Sequence, residues 1–140
     1  MKIKRVDHIA IAVEDVRDIV SIWSKVLGFE VEREEMMEEN GVKIVVMKIN
    51  GGGDLIPKIE MIEPYGERSP IRNFLSKKGK GVHHICFETE DIKSDMRELK
   101  EKGVKLLSEE PVEGVGGSLI IFIDPREMGG ILIELKQQKR

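Results

Sequence analysis

With 140 residues, the chain is long enough for one domain with a buried core. Charged residues make up 35% and apolar ones 40%, with a formal charge of −3, which excludes a mainly electrostatic partnership with nucleic acid or an anionic membrane. The single cysteine, Cys86, rules out an intramolecular disulfide framework, and no apolar run approaches a membrane span or a signal segment, so a soluble, cytoplasmic protein is expected.

Residues 3–13 alternate as a strand does, with Ile9, Ile11 and Val13 on one face and His8, Ala10 and Ala12 on the other. The first face reads as core. The second is lined by small residues and leaves room before the imidazole. A helix is predicted from about Asp15, carrying Val16, Ile19, Val20, Trp23, Val26 and Leu27 as its apolar stripe and ending at Gly28. Residues 29–36 and 42–49 read as two strands joined through Asn40-Gly41, and 50–54 as a glycine-rich connector. Residues 58–63 form a short strand closed by Pro64, with Glu60 facing away from Ile59 and Met61.

Residues 65–80 read as a linker in which Pro70 opens a short helix and Gly79 ends it. The order then repeats. Strand 82–89 is followed by a helix capped by Asp91 and stopped at Gly103, then by strands at 104–108, 118–123 and 130–136, with loops at 109–117 and 124–129. Cys86, inside an apolar strand, is expected to be buried and inert. The prediction is therefore a single α+β domain, 1–140. Its β-α-β-β-β half-repeats, 1–64 and 81–140, are joined by the linker and form a curved mixed sheet around a cleft.

The repeat carries the chemistry. His8 in VDHIAIAV and His84 in GVHHICFE lie 76 positions apart, and Glu60 in KIEMIE and Glu134 in ILIELK lie 74 apart. All four face away from their apolar strand neighbours. Buried carboxylates repel one another unless a positive charge compensates them. Two imidazoles and two carboxylates suit a divalent metal such as Co²⁺, Mn²⁺, Ni²⁺ or Zn²⁺, and on a six-coordinate ion they leave two positions for substrate. His83 is expected to point to the opposite face.

At these residues the chain resembles the vicinal oxygen chelate (glyoxalase) superfamily and, within it, the methylmalonyl-CoA epimerase (racemase) family. The resemblance covers nearly the whole chain. It runs through DHIAIAV, NGVKIVVM, KIEMIEP, GVHHICFETEDI, EKGVKLLSEEP, GVGGSLIIFIDP and GGILIEL. It implies, as is usual in the family, a homodimer, with a divalent ion, often Co²⁺, held by His8, Glu60, His84 and Glu134. It also implies interconversion of (R)- and (S)-methylmalonyl-CoA by removal of the C2 proton through a metal-stabilised enolate. Glu134 is the first choice for an acid/base. Some relatives place a second one on the third strand, where this chain has Ile44 beside Lys43, so Glu60 is expected to serve instead. Gly116, Gly117 and Ser118 are expected to offer backbone N–H groups to the substrate carboxylate. A glyoxalase I type lyase and a metal-free binding module are the alternatives that this fold also allows.

Overall fold

The computed structural model describes residues 1–139. Two compact units are distinguished, Met1–Asp7 with His84–Arg140, and His8–His83.

In the unit spanning His8–His83, strand β1 (Ile3–Ala12, of which the unit holds the second half) leads into helix α1 (Val16–Leu27), β2 (Phe29–Met37), β3 (Val42–Ile49), β4 (Lys58–Pro64) and α2 (Pro70–Lys78). The strand order is β2-β3-β4-β1. The β1–β4 pair is parallel and the other two pairs are antiparallel. Asp15 caps α1 by accepting from Arg17 N, and Gly28 closes it in the left-handed region at φ 75°. Val13, Val16, Val45, Met47 and Met61 form the core, flanked by Ile11, Ile19, Val20, Trp23, Phe29 and Ile59.

The predicted stripe of α1 is only partly buried. Val26 and Leu27 are 73% and 60% exposed, so the helix packs through its first two turns and its last turn stands clear. The β2–β3 connection is a 3₁₀ turn, Glu38–Asn40, completed by Gly41 at φ 68°. Glycine is required there on two counts. The backbone is left-handed, and an added Cβ would come within 3.0 Å of the Ser69 Cα. The Gly41 carbonyl accepts from Tyr65 N and from the Ser69 hydroxyl, tying the hairpin tip to the start of α2.

The other unit contains β5 (Gly81–Thr89, from His84), α3 (Ile92–Glu101), β6 (Val112–Glu113), β7 (Leu119–Ile123) and β8 (Ile133–Gln137), in the order β5-β8-β7-β6. Again the first-to-last pair is parallel and the others antiparallel. Ile92, Met96, Leu99, Ile121, Ile123 and Leu135 form its core. The α+β class and the repeated strand order therefore agree with the sequence reading, with one correction. Residues 104–108 do not form a strand, because only Leu106 bridges to Ile123. Strand pairing resumes within the predicted loop, as the two-residue β6. Strand β8 also starts later than predicted, at Ile133.

Candidate metal and acid–base centre

Each unit carries one histidine–carboxylate pair, built by the same local logic. In β1 the alternation that sends Ile11 into the core turns His8 to the opposite face. In β4 it does the same for Glu60, whose neighbour Met61 is fully buried. His8 Nδ1 lies 3.3 Å from a Glu60 carboxylate oxygen, and both side chains are buried. Glu60 stands in register between Ala10 of β1 and Val46 of β3, and Ile62 stands between Ala12 and Ile44. Its in-register neighbours on the adjoining strands are thus small or aliphatic.

The second pair follows the same plan. His84 Nε2 lies 3.3 Å from a Glu134 carboxylate oxygen, and both are again buried. Glu134 is in register between Cys86 of β5 and Phe122 of β7, and the Phe122 ring meets the His84 imidazole edge-on at 5.4 Å between centroids. His83 points the other way, as expected, and packs edge-on against Phe74 of α2 at 4.8 Å.

The surroundings of Glu134 are charged in a way the sequence reading did not anticipate. Lys136, two residues along β8 and therefore on the same face, is buried and places its ammonium 3.1 Å from Asp7. Asp7 also accepts from the Arg5 guanidinium at 3.2 Å and from the Gln138 amide at 3.3 Å, and Arg5 reaches the buried Glu88 at 3.3 Å. Two cations and two anions thus offset one another in the interior, which limits the cost of desolvating them. The signal was present in the sequence. Glu88 and Lys136 continue the period-two faces that start at His84 and Glu134.

The Cys86 thiol is fully buried. Burial foremost, and then the negative charges of Glu134 and Asp7, push its pKa far up, so it stays a neutral donor.

The turn before β7 has Gly116 and Gly117 in the left-handed region. Gly117 N donates within the turn to Gly114 O at 3.2 Å, and the buried Ser118 donates its hydroxyl to Val115 O at 2.9 Å. Part of that turn's donor capacity is therefore used internally.

Each pair presents an imidazole nitrogen beside a carboxylate oxygen, a donor set that fits a divalent cation. The same pairs provide carboxylates able to take up and return protons.

The chain matches the model of the Glyoxalase/Bleomycin resistance protein/Dioxygenase superfamily over residues 7–122. It is 38% identical over 134 residues to the mitochondrial methylmalonyl-CoA epimerase of Bos taurus, covering 95% of this chain and 74% of that one. It is also 38% identical over 137 residues to an ethylmalonyl-CoA/methylmalonyl-CoA epimerase of Cereibacter sphaeroides, covering 96% and 98%. Among solved structures, a variant Streptomyces coelicolor methylmalonyl-CoA epimerase in complex with 2-nitronate-propionyl-CoA superposes with a TM-score of 0.91 at 38% identity, covering 99% of this chain and 100% of that one. The twinned strand order, the histidine–carboxylate pair in each repeat and these likenesses agree: the chain is an enzyme of the glyoxalase/vicinal oxygen chelate superfamily and belongs within it to the methylmalonyl-CoA epimerase family.

Proposed function

We propose that this protein epimerises methylmalonyl-CoA at C2, with His8, Glu60, His84 and Glu134 holding one divalent ion. The carrying observation is the duplication of a buried histidine–carboxylate pair at the same 3.3 Å spacing in both repeats. A protein that merely bound a ligand would have no need of both. Relatives 38% identical to this chain and named for this activity support the reading.

A divalent ion there, Co²⁺ first and Mn²⁺, Ni²⁺ or Zn²⁺ next, would act as a Lewis acid that stabilises negative charge developing on the thioester oxygen. The residues do the rest. Glu134 takes the C2 proton from one face, the C–H electrons moving into the thioester carbonyl, and Glu60, loosened from its ligand role and carrying a proton, returns that proton to the other face as those electrons fall back to C2. In the opposite direction the two carboxylates exchange roles. The aliphatic setting of Glu60, between Ala10 and Val46, keeps water from competing as a proton donor. The turn at Gly116, Gly117 and Ser118 receives the substrate carboxylate. Gly116 leads there, since Gly117 N–H is used within the turn.

The test is deuterium uptake at C2 of methylmalonyl-CoA in D₂O, followed by NMR. Protein as purified, stripped by a chelator and reloaded with Co²⁺ would be compared. Exchange that disappears on stripping and returns with cobalt is the expected result. A folded, metal-loaded sample that gives none would remove the acyl-CoA assignment and turn attention to the hemithioacetal substrates of a glyoxalase I type lyase.

A further inference from the structure

We propose that Glu63 and Gln137 are matched positioning residues: each ties the last strand of its repeat to the first turn of the helix that follows the first strand, and so holds a metal-binding carboxylate in register with its histidine. The effect on the metal rests on the ligand set proposed above; the register does not.

Glu63, three residues past Glu60 on β4, accepts from the backbone N–H of Val16, the first residue of α1, at 2.8 Å. Gln137, three residues past Glu134 on β8, accepts from the N–H of Ile92, the first residue of α3, at 2.9 Å. Val16 and Ile92 are 76 positions apart, as His8 and His84 are, and Glu63 and Gln137 are 74 apart, as Glu60 and Glu134 are. The tie is therefore repeated at the spacing of the ligands themselves. The capping aspartates do not duplicate it, for Asp15 accepts from Arg17 N and Asp91 from Ser94 N. The first amide of each helix has no intrahelical acceptor, and the last strand supplies one. The odd spacing of three puts Glu63 and Gln137 on the strand face opposite the ligand carboxylates.

A parallel pair has particular need of such a tie. Antiparallel neighbours can take their register from a hairpin, whereas β1 and β4 are parallel and are connected through α1, β2 and β3. His8 stands opposite Lys58, two residues before Glu60, so its contact with Glu60 at 3.3 Å runs obliquely across the ladder. One residue of slip moves a strand by about 3.3 Å and turns its side chains to the other face. Past the paired residues, Val13 N donates to Ile62 O at 2.9 Å, and Val16 N then donates to Glu63. Two consecutive residues of β4 thus clasp the turn between β1 and α1. The bond requires only an acceptor oxygen, since a carboxylate serves in one repeat and an amide in the other.

The sequence contains three histidines, so their imidazole signals are distinguished by NMR. At one fixed pH, Glu63→Ala is expected to shift the His8 signals more than those of His84, with the Val16 amide exchanging about tenfold faster or more. Gln137→Ala is expected to do the converse, at His84 and Ile92. Each variant should bind Co²⁺ about tenfold more weakly, as titrated by visible absorption. Glu63→Gln, which installs the acceptor of the other repeat, should keep the parent's His8 signals and Co²⁺ affinity. Asp15→Ala is the control for a weakened helix start: it removes the cap and not the tie, and it should leave the His8 signals in place. Unmoved His8 signals in Glu63→Ala overturn the proposal. An equal shift in Asp15→Ala does so too, because the helix and not the tie would then be responsible. Should Glu63→Ala fail to fold, Gln137→Ala decides by the same criteria, and a Glu63→Gln variant that folds with displaced His8 signals counts against the tie. A parent protein that binds no Co²⁺ would overturn the ligand set, while the imidazole signals would still decide the register.

Discussion

The two repeats keep the same ligand pair and surround it differently. Glu60 sits between Ala10 and Val46, and the next residue on its face, Ile62, between Ala12 and Ile44. The equivalent positions of the other repeat put Glu134 between Cys86 and Phe122, and Lys136 between Glu88 and Ile120. Apart from its histidine, one carboxylate has aliphatic strand neighbours, and the other stands beside Cys86 and next to a charge-balanced network through Asp7 and Arg5. Strand pairing explains what is shared, since register alone sets each carboxylate near its histidine. What differs is the choice of side chains around it. That difference indicates unequal roles for two residues whose backbones are equivalent.

The largest expected effect tests that inequality. Glu134→Gln should lower net epimerisation by about 10²–10⁴-fold, the usual contribution of a positioned acid/base. Glu60→Gln should lower net epimerisation as well, yet leave C2 deuterium exchange at the face served by Glu134. Following exchange and inversion separately, by NMR and by chiral analysis of the recovered acid, distinguishes the two. If Glu60→Gln loses inversion and exchange together, the carboxylates do not serve separate faces. If it loses neither, Glu60 is a ligand alone.

Most of this asymmetry was written in the sequence, though in a form that hydrophobic patterning underweights. Strands and caps were legible because each had a local cause: alternation in β1, β4 and β5, Asn40-Gly41 before β3, Asp15 and Asp91 at helix starts, and the left-handed Gly28 at a helix end. The ligand pairs were legible because the chain states them twice. The failures came where tertiary context outweighed pattern. Residues 104–108 look like a strand, and they do exchange isolated hydrogen bonds with the neighbourhood of β7, Leu107 N to Phe122 O and Asp124 N to Lys105 O. Pairing is nevertheless reduced to a single bridge at Leu106. Val26 and Leu27 continue the apolar stripe of α1 but extend past the core it packs on. Lys136 and Glu88, read by residue type, would be assigned to solvent, and it is their partners Asp7 and Arg5, distant in sequence, that bring them inside.

The comparison extends to the two cores. The His8–His83 unit is filled with valine and methionine, its counterpart with isoleucine and leucine. Met61 and Leu135 occupy the same place in β4 and β8 and are almost fully buried. Truncating either to alanine should cost about 2–5 kcal/mol, with Leu135→Ala toward the upper end, because a branched side chain in a rigid surround leaves the better-defined cavity. Urea unfolding of the two variants measures this. A loss under about 1 kcal/mol for Leu135→Ala would show that its surround collapses into the space, contrary to the packing described here.

The smallest effect concerns the two helix starts. Asp91 caps α3 by accepting from Ser94 N, whereas Asp15 caps α1 and also binds the Arg17 guanidinium through both carboxylate oxygens. The hydrogen bonds from the Arg17 side chain and backbone hold the Asp15 carboxyl at about 2, down from an ordinary 3.8. A lowered carboxyl pKa contributes stability that is present above the unfolded value and is lost as pH falls through the folded one. Asp15→Asn keeps a capping oxygen but has no charge to lose. The variant should therefore be slightly less stable than the parent near neutral pH. That gap should narrow as pH drops below 3.8 and close near 2, as read from thermal midpoints of both proteins across the acid range. A gap that does not change with pH would mean that Asp15 acts through its cap geometry alone, and that the Arg17 contact, exposed as it is, adds nothing to the fold.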